Sequence, residues 1–424
     1  MHTPMLVAAT LSVLVAIQTT TQSPYPSRFT PAVVERPDVR KAFAFIDAQF
    51  DRQVEEWIAV TEIPAQSTFE AKRAAYVKAE LEKIGLVATI DGIGNVTARR
   101  AGTGGGPAVV FAAHLDTVHP MSTDVTVTRK PNGTLHGPGV FDDSAGVVNL
   151  LQTARAMHHA GVETAGDVVF LFTVQEELGL KGMYYWLDQN PGVAGMLIAV
   201  DGGLGPVNYG ALGIYWLKMI FTGDGAHTNQ SRGRPSPARA AAECITRLYE
   251  VPLPGPDAPV SAIYNVGGIM TAGNIVNAIP QEVTFTVDLR TVDPELLGSL
   301  DAALVKTCAT AAAAHKVGFR HDYILKSEAG GRPDQLEDRR RHPLVQTAVD
   351  ILRYLDVPLP PGREAIPSGS TDSNAGVVRG IPSISVGRSR GGDQHTLREW
   401  ADVESARVGT KQLVLLAVSL AGGK

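Results

Sequence analysis

Five short segments of the chain carry acids or histidine in spacings that could do metal chemistry. His114-Leu115-Asp116 sets an imidazole and a carboxylate two residues apart, so in an extended segment both face the same side. A carboxylate so placed can orient the ring or sit beside a metal ion. Gly137-Pro138-Gly139-Val140-Phe141-Asp142-Asp143 is a glycine-bearing turn that presents two acids ahead of a helix-like run. Gln175-Glu176-Glu177, Asp201-Gly202-Gly203 and Gly391-Gly392-Asp393-Gln394-His395 complete the set. Each has an ordinary reading. A lone His-x-Asp is usually a satisfied polar contact, a Glu pair a solvated face, Asp-Gly-Gly a turn, and paired Asp a helix cap. Together, at or just after the ends of strand-like runs, they exceed what caps and turns require. Two histidines among several carboxylates suit zinc, cobalt or manganese better than calcium. Cys244 and Cys308 stand in alanine-rich, helix-like stretches without ligand spacing, so a metal here must use His and carboxylate. One cysteine pair permits a disulfide in an oxidising compartment without implying it.

The elements that must position these residues alternate. An amphipathic run begins near Val39 and continues through Ile46, Phe50, Val54 and Ile58 at about one helical turn per step. Val109 to Ala113 reads as a buried strand, Ser144 to His158 as a helix, Val168 to Val174 and Leu197 to Val200 as strands, and Ile381 to Val386 as another. Buried strands alternating with helices predict an α/β fold, a mostly parallel sheet flanked by helices. The ends of such strands are where open α/β sheets place their sites. Between them lies a different grammar: strand Ile214–Thr222, helix Pro237–Tyr249, strands Ala262–Ile269 and Glu282–Leu289, a helix from Pro294 to about His315, then strand Gly318–Leu325. That βαββαβ order is a ferredoxin-like unit. The expected organisation is therefore a domain in two parts, 36–206 and 329–424, interrupted by a smaller one at 207–328.

At 424 residues the chain exceeds one ordinary core, in keeping with two domains. A formal charge of −5 without any basic stripe argues against nucleic acid as partner. Met5 to Ile17 is apolar but too short to span a bilayer, which takes about 20 residues. It resembles the core of a signal peptide, although its start carries no Lys or Arg. The expectation is a leader over 1–23, an exported (periplasmic or secreted) protein, with a cytoplasmic one as the alternative, and no integral membrane span in the mature form.

The segments His114-x-Asp116-Thr117-Val118-x-Pro120, Gly137-x-Gly139-x-x-Asp142-Asp143 and Glu176-Glu177 together resemble the co-catalytic zinc peptidase family of peptidase T, glutamate carboxypeptidase, aminoacylase and succinyl-diaminopimelate desuccinylase. The resemblance covers essentially everything after the leader. It implies two Zn2+ ions, with Co2+ or Mn2+ as substitutes, bridged by Asp142. His114 and Asp201 would complete one site, Glu177 and His395 the other. Asp116 would orient His114, and Glu176 would be the general base. The inserted unit would be a lid and dimerisation domain, making a homodimer in which His227 reaches the neighbouring active site. Asn277 and Arg290 would hold a substrate carboxylate, and the Gly369-Ser370-Thr371-Asp372 loop would border the substrate. The implied activity is hydrolysis of an amide bond in short peptides, peptidase T-like. Alternatives are an N-acyl-amino-acid deacylase or glutamate-type carboxypeptidase, or a metal-stabilised binding protein without catalysis. The last would call for a damaged base or ligand, and none is seen. Two departures stand out: Ser144 replaces the family's usual Lys, and Thr228-Asn229-Gln230-Ser231 follows His227.

Overall fold

The computed structural model describes residues 26–255, 257–271 and 275–422, so the expected leader lies outside the described residues. Its larger sheet has eight strands, in the order Ala88–Ile90, Val96–Arg100, Val168–Thr173, Val109–His114, Met196–Val200, Ser383–Val386, Val207–Asn208 and Ala365–Ile366. The four strands from Val168–Thr173 to Ser383–Val386 run parallel, whereas Val96–Arg100 and Ala88–Ile90 join antiparallel at one edge.

The central strands are buried along their whole length and mostly apolar, because both faces are covered. Val109, Phe111 and Ala113 belong to a core shared with helices Ser144–Ala160 and Val403–Leu420. Val110 and Ala112 point the other way, onto Met183, Trp186 and Leu187 of helix Lys181–Gln189. The amphipathic run from Val39 to Ile58 is not one helix. It breaks at Gln49 (φ −102°, ψ 8°) into Pro37–Ala48 and Phe50–Thr61, and the second helix turns Phe50, Val54 and Trp57 into the core. Hydrophobic spacing cannot report such a bend, since both helices keep an inward face.

The second sheet pairs four antiparallel strands in the order Ala262–Thr271, Glu282–Thr291, Gly213–Thr222, Gly318–Lys326. Helices Pro237–Leu248 and Pro294–Ala314 follow the first and third of these in chain order, giving the βαββαβ sequence of elements. Leu217, Phe221, Phe285, Leu289, Leu304 and Cys308 form a core separate from that of the large sheet. Cys244 and Cys308 are joined by a disulfide that ties the two helices together, with Cα atoms 4.9 Å apart. The expected boundary at 207 shifts. Val207 donates to Glu364 O (3.0 Å) and Tyr209 to Ile366 O (3.0 Å), so this stretch extends the large sheet and the second begins at Gly213.

A third, small sheet matters for the site. Trp400–Asp402 pairs antiparallel with Thr134–His136 on one side and Gly391–Gly392 on the other. The chain flanking His395 is thereby hydrogen-bonded beside the chain leading to Asp142.

Candidate metal centre

His114 is the last residue of its strand, at the carboxyl end of the parallel block. Its backbone N–H donates to Asp143 Oδ2 (2.9 Å). Nδ1 faces acceptors of Asp116, the carbonyl oxygen at 3.1 Å and Oδ1 at 3.5 Å, which assigns the ring proton to Nδ1. Nε2 is left pointing at Asp142 Oδ1, 3.1 Å away. Asp116 is wholly buried and does more than orient the ring. Its Oδ1 accepts from the Glu176 N–H (3.0 Å), and Oδ2 from the Glu177 N–H (3.2 Å) and Ser67 Oγ (2.7 Å). One carboxylate thus fixes the imidazole and the backbone of both glutamates.

On the opposite wall, His395 Nε2 lies 2.9 Å from Glu177 Oε1 and 3.3 Å from Asp142 Oδ2. Gln175 (φ 54°) and His395 (φ 61°) both adopt the left-handed backbone that side chains rarely take. Such conformations persist where surrounding structure dictates them, and both lie at this cluster. The turn bearing Asp142 is held by Glu399. This buried carboxylate accepts from the N–H groups of Gly139 (2.9 Å), Phe141 (2.8 Å) and Asp142 (2.7 Å). Gly146 allows the helix start to close on the site, since a Cβ there would lie 2.2 Å from Asp143 Oδ1 and 2.4 Å from Val200 O.

Ligand atoms of His114, Asp142 and Glu177 all fall within 4.8 Å of one another. Imidazoles and carboxylates converging from separate segments of the chain are a donor set that fits zinc-like ions. The electrostatics agree. Burial pushes Glu176 well above the ordinary carboxyl range, with Glu177 and Asp201 adding to it. Burial likewise raises Glu177 and, strongly, Asp143. Burial would also raise Asp142, but the Arg388 guanidinium, His114 and His395 outweigh it and hold the group well below its usual value. Hydrogen bonds donated to Asp142 and Glu177 lift His395 to about 10 in the metal-free site.

Of the residues singled out by sequence, His114, Asp116, Asp142, Glu176, Glu177 and His395 come together. Asp201 sits at the end of its strand as expected, but its carboxylate is taken by Arg388 Nη1. A local motif could not reveal that, because Arg388 arrives from another strand. His227 is exposed and far from isolated: Asn229 N–H donates to its Nδ1 (3.2 Å) and Asn277 Nδ2 lies 3.4 Å from Nε2. Among the described residues no hydrogen bond or ion pair links this pair to the buried cluster. Arg290, expected to hold a substrate carboxylate, instead grips Asp288 through Nε (2.9 Å) and Nη2 (2.9 Å), its neighbour two along the same strand face. Gly369 O accepts from Asn374 Nδ2 (2.9 Å), and Ser370 is exposed beside it. Asp372 is buried against Thr173 Oγ1 and, chiefly through burial, raised to about 7. Sequence reading passed over Glu399, Arg388 and Ser67. Glu399 had one signal, its place four residues after His395; the others had none.

A histidine–carboxylate cradle at the carboxyl ends of parallel strands, with a buried free carboxyl beside it, defines a metal-dependent hydrolase. The model of Peptidase family M20/M25/M40 matches residues 110–419, and the chain belongs to that family. Carboxypeptidase G2 from Pseudomonas sp. (strain RS-16) is 24% identical over 361 residues, 84% of this chain and 83% of its own. A tripeptidase from Staphylococcus aureus superposes with a TM-score of 0.73 at 20% identity, over 88% of this chain and 98% of the other. A dinuclear metal binding peptidase from Bacillus subtilis gives 0.64 at 18% identity, over 88% and 98%.

Proposed function

We propose that the protein is a zinc-dependent exopeptidase of short peptides, with Glu176 as its general base. The observation that carries this reading is the state of Glu176. Its backbone is pinned by Asp116, while its carboxyl has no hydrogen-bond or ion-pair partner among the described residues and is buried beside His114 and Glu177. A carboxyl raised by burial and left free next to a cation cradle is suited to accept and return a proton.

His114, Asp142, Glu177 and His395 would hold the metal. Bound there, it supplies polarisation of the scissile carbonyl and acidifies water. Glu176 accepts a proton from the attacking water on its carboxylate and delivers it to the leaving amide nitrogen, turning a poor leaving group into an amine. Asp116 keeps Glu176 and Glu177 aimed through their amides, and Glu399 keeps Asp142 in place.

The remaining assignments belong to the same reading. His227 and Asn277 would act across a homodimer, one copy's inserted unit meeting the other copy's cluster and the Gly369-Ser370 loop. In support, Ile263, Ile269 and Met270 are exposed along the free edge strand Ala262–Thr271, as Ile275 and Val276 are just beyond it. Export is proposed from the leader-like run and the Cys244–Cys308 disulfide, since such bonds persist in oxidising compartments.

The deciding assay offers dipeptides, tripeptides and N-acetyl amino acids to chelator-stripped protein before and after zinc is restored. Zinc-dependent release of terminal residues is expected. Cleavage confined to the N-acetyl compounds would make the protein a deacylase instead.

A further inference from the structure

Arg388 is completely buried, yet it belongs to no part of the hydrolytic scheme above. Its guanidinium reaches three carboxylates at once. Nη1 bonds Asp201 Oδ1, Nη2 lies 3.0 Å from Asp142 Oδ1, and Nε lies 3.2 Å from Asp143 Oδ1. Its carbon sits 4.3 Å from the centre of the Phe141 ring, which backs it from behind. The backbone is fixed as well. Arg388 N–H donates to Gly202 O (3.2 Å), and Arg388 O accepts from Asn149 Nδ2 (2.6 Å). Gly387 before it packs so tightly that a Cβ would lie 2.3 Å from Gly203 O and Leu204 N. Residue 144, at the start of the helix that follows the paired acids, is a buried serine and brings no cation of its own.

On the family resemblance, Asp142 and Asp201 are the carboxylates that would join His114 around the first of two cations. In this chain a guanidinium already spans them. A dication there would meet a fixed positive charge at contact distance in a buried setting, where like charges repel strongly. The other oxygen of Asp142 carries no such partner and faces His395 Nε2, which also meets Glu177 Oε1. The three ligand atoms that do converge, from His114, Asp142 and Glu177, are enough for one ion.

We propose that Arg388 replaces one of the two cations, so that the chain binds a single divalent ion on His114, Asp142, Glu177 and His395, with Asp201 serving the arginine rather than a metal. The inference rests on the metal-hydrolase reading and sharpens it.

The test is stoichiometry. Full-length protein is stripped with chelator, dialysed to equilibrium against excess Zn2+, and assayed for bound zinc by mass spectrometry. One ion per chain is expected for the natural protein, one for Asp201→Asn, and two for Arg388→Met. Two ions in the natural protein, or loss of an ion in Asp201→Asn, would overturn the proposal. So would a folded Arg388→Met, checked by circular dichroism, that still takes one. If Arg388→Met fails to fold, the natural protein and Asp201→Asn decide the matter, because Asn keeps the size and an acceptor for Arg388. Two ions with peptide hydrolysis intact would defeat this inference and leave the hydrolase reading standing; no bound ion at all would defeat both.

Discussion

The acid cluster and the His227–Asn277 pair are both read as parts of one site, yet they are built in opposite ways. Every member of the cluster but Glu176 has its side chain engaged, and Asp116 and Glu399 each hold two or three backbone amides. His227 and Asn277 are exposed, and the contact between them is 3.4 Å long. The first region is complete within one chain. The second has a reactive side chain and nothing to act on. Buried polar groups must be satisfied where they are, whereas exposed ones can wait for water, a substrate or another molecule.

The sharpest way to break the comparison is Glu176→Gln. This change keeps shape and metal content but removes the proton acceptor, and should lower kcat by about 10³-fold. Near-normal turnover would remove Glu176 from its role. Next comes His227→Ala. If the exposed pair completes the site by stabilising developing charge, kcat should fall by roughly 10²-fold with zinc content unchanged. Unchanged kcat would mean that the buried region is sufficient alone. Glu399→Gln leaves one acceptor oxygen for three amides and loosens the Asp142 turn, so zinc affinity should weaken by about 10–100-fold. Equal affinity, measured by chelator competition, would show that the turn needs no clamp. Smallest is the response to acidity. Asp142 and Glu177 raise His395 to about 10, so the metal-free ring is protonated at neutral pH and must lose that proton to bind zinc. Zinc affinity should therefore fall about tenfold per proton released for each unit of acidification below neutrality. A flat affinity from pH 6 to 8 would show that His395 is not a ligand.

Much of this was legible in sequence for a physical reason. The central strands are buried on both faces and so read as unbroken apolar runs, and an open α/β sheet delivers its polar residues at the strand ends. The segments that carry His114, Glu176 and Glu177 stand out for that reason, while the role of each residue, with those of Asp142 and His395, came from the family resemblance. The second unit shows in the βαββαβ order of its elements and in the Pro that opens each of its helices. What escaped is what depends on distant partners. Gly387-Arg388-Ser389-Arg390 reads as a polar turn, and only the folded chain brings Arg388 to Asp201, 187 residues away. Thr396-Leu397-Arg398-Glu399 likewise reads as surface, whereas Glu399 is among the most buried acids. Val207–Asn208 was assigned to the inserted unit because so short a strand leaves no periodicity to read.

The span between Glu399 and the amides it gathers, 257 to 260 residues, bears on how the protein is made. The Asp142 turn leaves the ribosome long before its clamp, and His395 emerges only four residues ahead of Glu399. Loops of that size close late, after the local helices have formed. A nascent or C-terminally clipped chain therefore carries the Asp142 turn without the piece that shapes it, and the cluster can assemble only once the last stretch of the chain has folded.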